Sequence, residues 1–269
     1  MSQHRYLHST TKDEIEFNRL RLLEKFDDPT TICHLEMTGI SEGSNCLEVG
    51  AGAGSIAQWF SKRVGPIGRV VATDIDIRFL REMNIPNLEV RRHDIAKDEL
   101  EKREYDLVHC RYVLEHLPEP EKALKRMADA VRPGGWLLIE DADYGSYLSA
   151  DVVNTSAAFF TTTCRALFDF LQKRKIADPF FGRQLRELME QIRFVDLGHE
   201  GCTHMYRGGE PDSCIWATTF QAAAKPMIAA GLLSLEQHDN VVRLFKDPTF
   251  NLIGPIMFGA WGRRLAEDI

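Results

Sequence analysis

Apolar positions along this chain follow two alternating rhythms. Short strand-like runs at 46–49, 69–74, 88–94, 105–111 and 136–140 are separated by stretches in which apolar residues recur at helical spacing. Ser55–Val64 is one such stretch. Another carries Leu124, Met127, Ala128 and Val131 at i, i+3, i+4 and i+7, a face suited to packing on a sheet rather than to binding a ligand. Strands alternating with helices in this way predict an α/β fold with a mostly parallel sheet, right-handed crossovers and helices on both faces. Ligands of such sheets bind at the carboxyl ends of the strands. Beyond 140 the pattern is helical from 151 to 175, returns to strands at 194–199 and 250–261, and between them inserts two helices at 216–230 and 235–245, punctuated by Gly231 and Pro248.

The first strand runs into Glu48-Val-Gly50-Ala51-Gly52-Ala-Gly54-Ser55. Glycines at 50, 52 and 54 allow a sharp turn off a strand and leave no side chains in a ligand's way. A phosphate-cradling P-loop would end in Gly-Lys-Ser/Thr, whereas Gly54 is followed by Ser-Ile-Ala, which disfavours ATP or GTP hydrolysis. A dinucleotide fingerprint would need glycine or alanine where Ser55 stands, so an NAD-dependent oxidoreductase is the runner-up. Glu48 lies in an apolar strand, where a bare carboxylate is costly to bury. Two roles are open to it: accepting backbone amides of the loop, or meeting a positively charged ligand.

Together these residues resemble motif I of the class I S-adenosylmethionine-dependent methyltransferases, in the small-molecule, UbiE-like group, and later landmarks strengthen the likeness. The run 69–74 ends in Asp74 about twenty residues past the loop. Asp94-Ile95 follows the third strand, Arg111 ends the fourth, and 132–135 reads Arg-Pro-Gly-Gly before the fifth, where proline stops a helix and the glycines permit a reversal. The resemblance covers about 45–141 and implies a Rossmann-like seven-stranded sheet. It implies S-adenosyl-L-methionine as cofactor and S-adenosyl-L-homocysteine as product. Asp74 would bind the ribose hydroxyls, with Ile75 beside it, and Asp94 and Ile95 the adenine. Gly50, Ala51, Gly52, Glu48 and Arg111 would complete the site, and Tyr6 is implied as part of a lid. Asp76 is instead expected to cap a helical turn, and capping a turn is the competing role for Asp94.

Composition narrows the class further. The 269 residues are 44% hydrophobic and 27% charged, enough for one elaborated domain with a large core. No run reaches the roughly 18 to 20 apolar residues of a membrane span, and the first residues lack a signal peptide's apolar core, so a cytoplasmic protein is expected. Six cysteines without C-x-x-C spacing point to reduced, buried thiols rather than disulfides or a zinc site. A net charge of -7 disfavours a nucleic-acid surface, and Lys173-Arg-Lys175 reads as a solvated helix face.

The expected organisation is a helical lid at 1–40, a cofactor core at 41–145, a helical cap at 146–190 and, at 191–269, the last two strands with an insertion at about 210–247. The lid begins with a capping box, Thr11-x-x-Glu14, and continues as an amphipathic helix to Phe26. Phe159, Phe160, Leu167, Phe168, Phe170, Phe180 and Phe181 give the cap an apolar surface, mostly core, with one or two lining a pocket. The insertion would build the far wall of that pocket or a homodimer contact. Methyl transfer from a sulfonium depends chiefly on alignment, and a general base is needed only for a protonated acceptor. His116 and Tyr144 are the candidates for that base. Cys110-Arg111-Tyr112-Val113 replaces the Asn/Asp-Pro-Pro-Tyr/Phe of enzymes that grip base amines or amides, and the acid cluster of the magnesium-dependent catechol enzymes has no counterpart. A small organic acceptor at O, N or C is therefore expected. The alternative within this family is a protein that binds the cofactor without methylating, as a sensor or a cyclase.

Overall fold

The computed structural model describes residues 12–150 and 155–266. In chain order the elements are α1 (Asp13–Met37), β1 (Asn45–Val49), α2 (Ser55–Val64), β2 (Arg69–Asp74), β3 (Leu88–Arg92), β4 (Tyr105–Arg111), α3 (Pro120–Ala130) and β5 (Val131–Asp143). There follow β6 (Leu148–Ser149), α4 (Thr155–Lys173), α5 (Leu185–Gln191), β7 (Val195–Cys202), β8 (Met205–Arg207), α6 (Ser213–Ala229), α7 (Leu235–Leu244), β9 (Asn251–Ile253) and β10 (Ile256–Arg263). Seven strands form one sheet in the order β3-β2-β1-β4-β5-β10-β7. Only β10 runs antiparallel, pairing with β5 and β7. This is the expected Rossmann-like architecture.

Side-chain alternation along the strands builds two cores. Leu47, Val108 and Leu137 pack on one face with Leu124 and Met127 of α3 and Leu188 of α5. Cys46, Leu107 and Leu138 point to the other face, against Ile56 and Phe60 of α2 and Leu35 of α1. On this second face the next inward positions toward the carboxyl ends are Glu48, His109 and Glu140. The face thus changes from apolar to charged as it approaches the ligand-binding edge. A third core joins α4, α6 and α7, with the N-terminal half of α1 against it through Leu22, Leu23 and Phe26. A small sheet, β6-β9-β8, underlies it.

Three boundaries differ from expectation, each for a local reason. The first helix does not stop at Phe26 but runs through Pro29 to Met37. Its inward face is polar, burying Glu16, Arg19, Glu24, Asp27, Thr31 and His34, so its contacts with the sheet outweigh the hydrogen bond that Pro29 cannot make. Thr11, the start of the expected capping box, lies outside the described residues. Helix α3 ends at Ala130 and β5 begins at Val131, with 132–135 forming a bulge: Tyr105 pairs with Val131 and Leu107 with Trp136. Gly134 has φ 78° there, and a Cβ on Gly135 would lie 2.9 Å from the Asp106 carbonyl. The final strand is broken at Gly254-Pro255, which sends β9 to the small sheet and β10 to the large one. The cysteines are not uniformly buried either, since Cys33 is exposed.

Candidate active site

The glycine loop closes on itself through the neighbouring strand. The Gly50 and Ala51 N–H groups donate to the Thr73 carbonyl at 2.8 and 3.0 Å. Gly50, Gly52 and Gly54 have φ of 75°, 56° and 91°, a region that side chains disfavour. Space is equally limiting: a Cβ on Gly50 would lie 2.3 Å from Val113 Cγ2, and one on Gly54 2.1 Å from Met83 Cε. At the end of β2, Asp74 accepts the Gly52 N–H at Oδ2 (2.9 Å) and the Asp76 N–H at Oδ1 (2.8 Å). These bonds aim the carboxylate and leave lone pairs free for ligand hydroxyls. Burial pushes the Asp74 carboxyl up to about 6. Asp76 caps a 3-10 turn at 77–79, as expected.

Two adjoining cavities, one larger than the other, lie over the carboxyl ends of the strands. Asp74, Ile75, Asp94 and Ile95 line the smaller one. Asp94 accepts the Ala96 N–H (3.1 Å) and the Lys97 ammonium (2.6 Å), so it also caps its own turn. Glu48, Ala51, Arg111 and Tyr144 line the larger one. Leu20, Gly50, Gly52, Tyr112 and His116 are common to both and mark where they join. Nine of the ten expected cofactor residues therefore converge on one continuous space, as do both candidate bases. Tyr6, the tenth, lies outside the described residues.

Beneath the larger cavity runs a buried chain of charges. His109 bridges Glu48 Oε2 (2.6 Å, Nδ1) and Glu140 Oε2 (3.2 Å, Nε2). Glu140 also accepts the Thr31 hydroxyl (2.6 Å) and faces His34 Nδ1 (2.7 Å), whose Nε2 reaches Glu200 (3.1 Å). Burial opposes protonation of His109, but Glu48 and Glu140 outweigh it and push its pKa up to about 9. Burial pushes Glu48 up, whereas Glu140 is held low, against its burial, by His109 and His34. The Glu48 carboxylate is thus engaged by a histidine and does not accept the loop amides. Gly259 makes the arrangement possible, because a Cβ there would lie 2.9 Å from the His34 ring.

Helix α1 closes this end of the site. Arg111 donates to Thr31 Oγ1 (2.7 Å) and Asp28 Oδ1 (2.8 Å). Glu24 Oε1 accepts the Ser55 N–H at the start of α2 (3.0 Å), a favourable place for a negative charge. Tyr112, with φ 56°, donates its hydroxyl to Asp27 (3.1 Å). Burial raises Asp27 to about 6 despite nearby Arg111. Arg19, Glu24 and Tyr112 have no individual role in the sequence reading. The signal available was the density of charged residues in a helix that also carries Leu20, Leu23 and Phe26.

The far side of the larger cavity is aromatic. Phe168 and Leu171 of α4 line it with Trp216, Thr219 and Ala223 of α6, a helix of the insertion. Phe160 and Leu167 are core, and Phe181 belongs to the sheet's core instead. Tyr144 packs against Phe168 (5.2 Å between centroids) and Trp216 (6.2 Å). Its hydroxyl is pushed well above the usual range by burial, which makes it a neutral phenol. His116 Nε2 lies 3.3 Å from Glu115 Oε1. Among the described residues, no group of three or more His, Cys, Asp or Glu side chains is placed to hold a metal ion, and no helix is long and apolar enough to cross a membrane.

An acidic residue at the end of β2, bare glycines at the end of β1 and two adjoining cavities make up the candidate site. A family model described as "Methyltransferase domain" matches residues 9–208, and the chain belongs to that family. It is 27% identical over 237 residues to methyltransferase str2 of Strobilurus tenacellus, covering 87% of this chain and 83% of that protein. It is 28% identical over 187 residues to the ubiquinone/menaquinone biosynthesis C-methyltransferase UbiE of Ectopseudomonas mendocina, covering 65% and 73%. The fold also matches Haemonchus contortus phosphoethanolamine N-methyltransferase 2 in complex with S-adenosyl-L-methionine, with a TM-score of 0.59 at 15% identity, over 99% of this chain and 60% of that one. The chain is a methyltransferase of this family, and the sequence expectations of family and sheet hold.

Proposed function

We propose that this enzyme methylates a small, largely apolar organic molecule held in the aromatic cavity, at O, N or C. The observation that carries this reading is the junction of the two cavities at Tyr112 and His116, which sets the aromatic wall of Phe168 and Trp216 beside the space lined by Asp74 and Asp94. When bound, S-adenosylmethionine supplies a methyl group activated by its sulfonium. The residues present fit it: Asp74 is aimed and retains acceptor capacity for the ribose hydroxyls, and Asp94 and Ile95 lie at the adenine end. The glycine loop leaves room for the backbone of the ligand, and Glu48 and Arg111 offer charges of both signs to its amino-acid end. What the chain contributes is position and exclusion of water, with Phe168, Trp216 and Tyr144 holding the acceptor against the junction.

We assign the insertion to the pocket wall rather than to a homodimer contact, and the working compartment to the cytoplasm. The lid, core, cap and insertion act as one domain around the site. The test is incubation with methyl-labelled S-adenosylmethionine and a library of small aromatic acceptors, followed by mass detection of labelled product. Transfer to peptides or nucleic acid but to no small molecule would refute the proposal. Stabilisation by S-adenosylhomocysteine without any methylated product would favour the sensor or cyclase alternative.

A further inference from the structure

Two acids near the junction of the cavities are left over from the network described above. Glu115 follows β4 and lines the aromatic cavity, yet is only 5% exposed; its Oε2 has no hydrogen-bond partner. Asp141, on β5, is fully buried, and its Oδ1 also has none. Asp141 Oδ2 accepts the Leu114 N–H (3.1 Å), which ties it to the turn carrying Glu115. An unsatisfied buried carboxylate oxygen is costly unless it holds a proton or meets a ligand. We infer that Glu115 takes the proton of the methyl acceptor, with Asp141 as the positioning residue that keeps it ready to hold one.

This inference rests on the proposed acceptor cavity. Glu115 faces Asp141 of β5, Arg19 of α1 and Asp178 of the loop after α4, with Tyr144 nearby and His116 on its own turn. Burial, then repulsion from Asp141, pushes its carboxyl well above the usual range, outweighing Arg19 and the Ala142 N–H. Burial likewise raises Asp141. A carboxyl raised in this way is a stronger base than an ordinary one, and it acts from its ionised form, which a positive charge at the reacting centre favours. In the step itself, the acceptor's lone pair bonds to the methyl carbon while the carbon–sulfur bond breaks and leaves its electron pair on sulfur. The acceptor's proton passes to Glu115 Oε2 and returns to solvent after product leaves. His116, beside Oε1, is then a neighbour of the base rather than the base.

The test uses two probes that need no acceptor: S-adenosylhomocysteine, and sinefungin, which carries an ammonium where the cofactor carries its methyl. Affinity and protons exchanged are measured by calorimetry in buffers of different ionisation enthalpy. Wild-type protein should bind sinefungin at least as tightly as S-adenosylhomocysteine and release a proton with sinefungin alone. Glu115→Gln, which keeps the shape, should weaken sinefungin by about ten-fold or more, leave S-adenosylhomocysteine unchanged and abolish the proton release. Asp141→Asn should keep the sinefungin preference and lose the proton release. Three results would overturn the assignment while leaving the cofactor site intact: no sinefungin preference in the wild type, a Glu115→Gln variant that binds both probes as before, or one that loses both equally. Loss of the preference in Asp141→Asn but not in Glu115→Gln would also overturn it. Failure of the wild type to bind either probe would remove the proposed function along with it.

Discussion

Replacing His109 by glutamine should destabilise this protein in a pH-dependent way whose size follows from its surroundings. The imidazole is fully buried between Glu48 and Glu140. Its pKa rises from 6.5 to about 9 on folding. A group raised by folding contributes stability that is complete below its unfolded pKa and is lost as pH rises through the folded one. The window is therefore about pH 6.5 to 9, and a shift of that size corresponds to about 3 kcal/mol. Loss of one partner from a buried ion pair typically costs 3–5 kcal/mol, roughly the same magnitude. Urea denaturation of wild type and His109→Gln at several pH values would measure the difference. It should be about 3 kcal/mol near pH 6 and shrink toward pH 10. A difference that stays constant or grows with pH would mean that His109 is neutral in the folded protein, and the chain of charges would have to be redrawn.

Other outcomes follow from the same geometry. Asp74→Ala should weaken S-adenosylhomocysteine by about 10- to 100-fold in calorimetry, the worth of about one hydrogen bond to a charged group. In the wild type that affinity should fall as pH drops through about 6, where Asp74 protonates. Gly50→Ala places a Cβ 2.3 Å from Val113 at φ 75°; it should lower thermal stability by at least about 1–2 kcal/mol and abolish cofactor-induced stabilisation. Trp216→Phe should leave the S-adenosylhomocysteine dissociation constant within about two-fold while raising KM for the acceptor, since Trp216 lines only the aromatic cavity.

Periodicity and turn chemistry made the core legible, because the residues concerned answer to local rules. The span of α2 at 55–64 and of β4 at 105–111 were both readable from the chain, as was the convergence of Gly50, Asp74, Asp94 and Arg111. The polar inner face of α1 was not, because its partners are far away in the chain. Nothing local explains why Thr31 and His34 belong inside a protein until Glu140 is placed against them. The same applies to Glu115, which in sequence is one more acid beside a histidine, and whose isolation depends on Asp141 of the neighbouring strand. The bulge at 132–135 was hidden for a different reason: Pro133 and two glycines signal a break in regular structure but not which side of it the strand begins.

Helix α1 makes the order of assembly a matter of chain topology. Its hydrogen bonds reach partners 109, 166 and 172 residues downstream, at Glu140, Glu200 and Cys202. Contacts that close such long loops are slow to form, because the entropy of closure must be met before they return anything. Helix α1 therefore waits for β7 before its inner face is covered. Until then its buried charges remain hydrated, which keeps a long exposed helix soluble where an apolar one would invite aggregation.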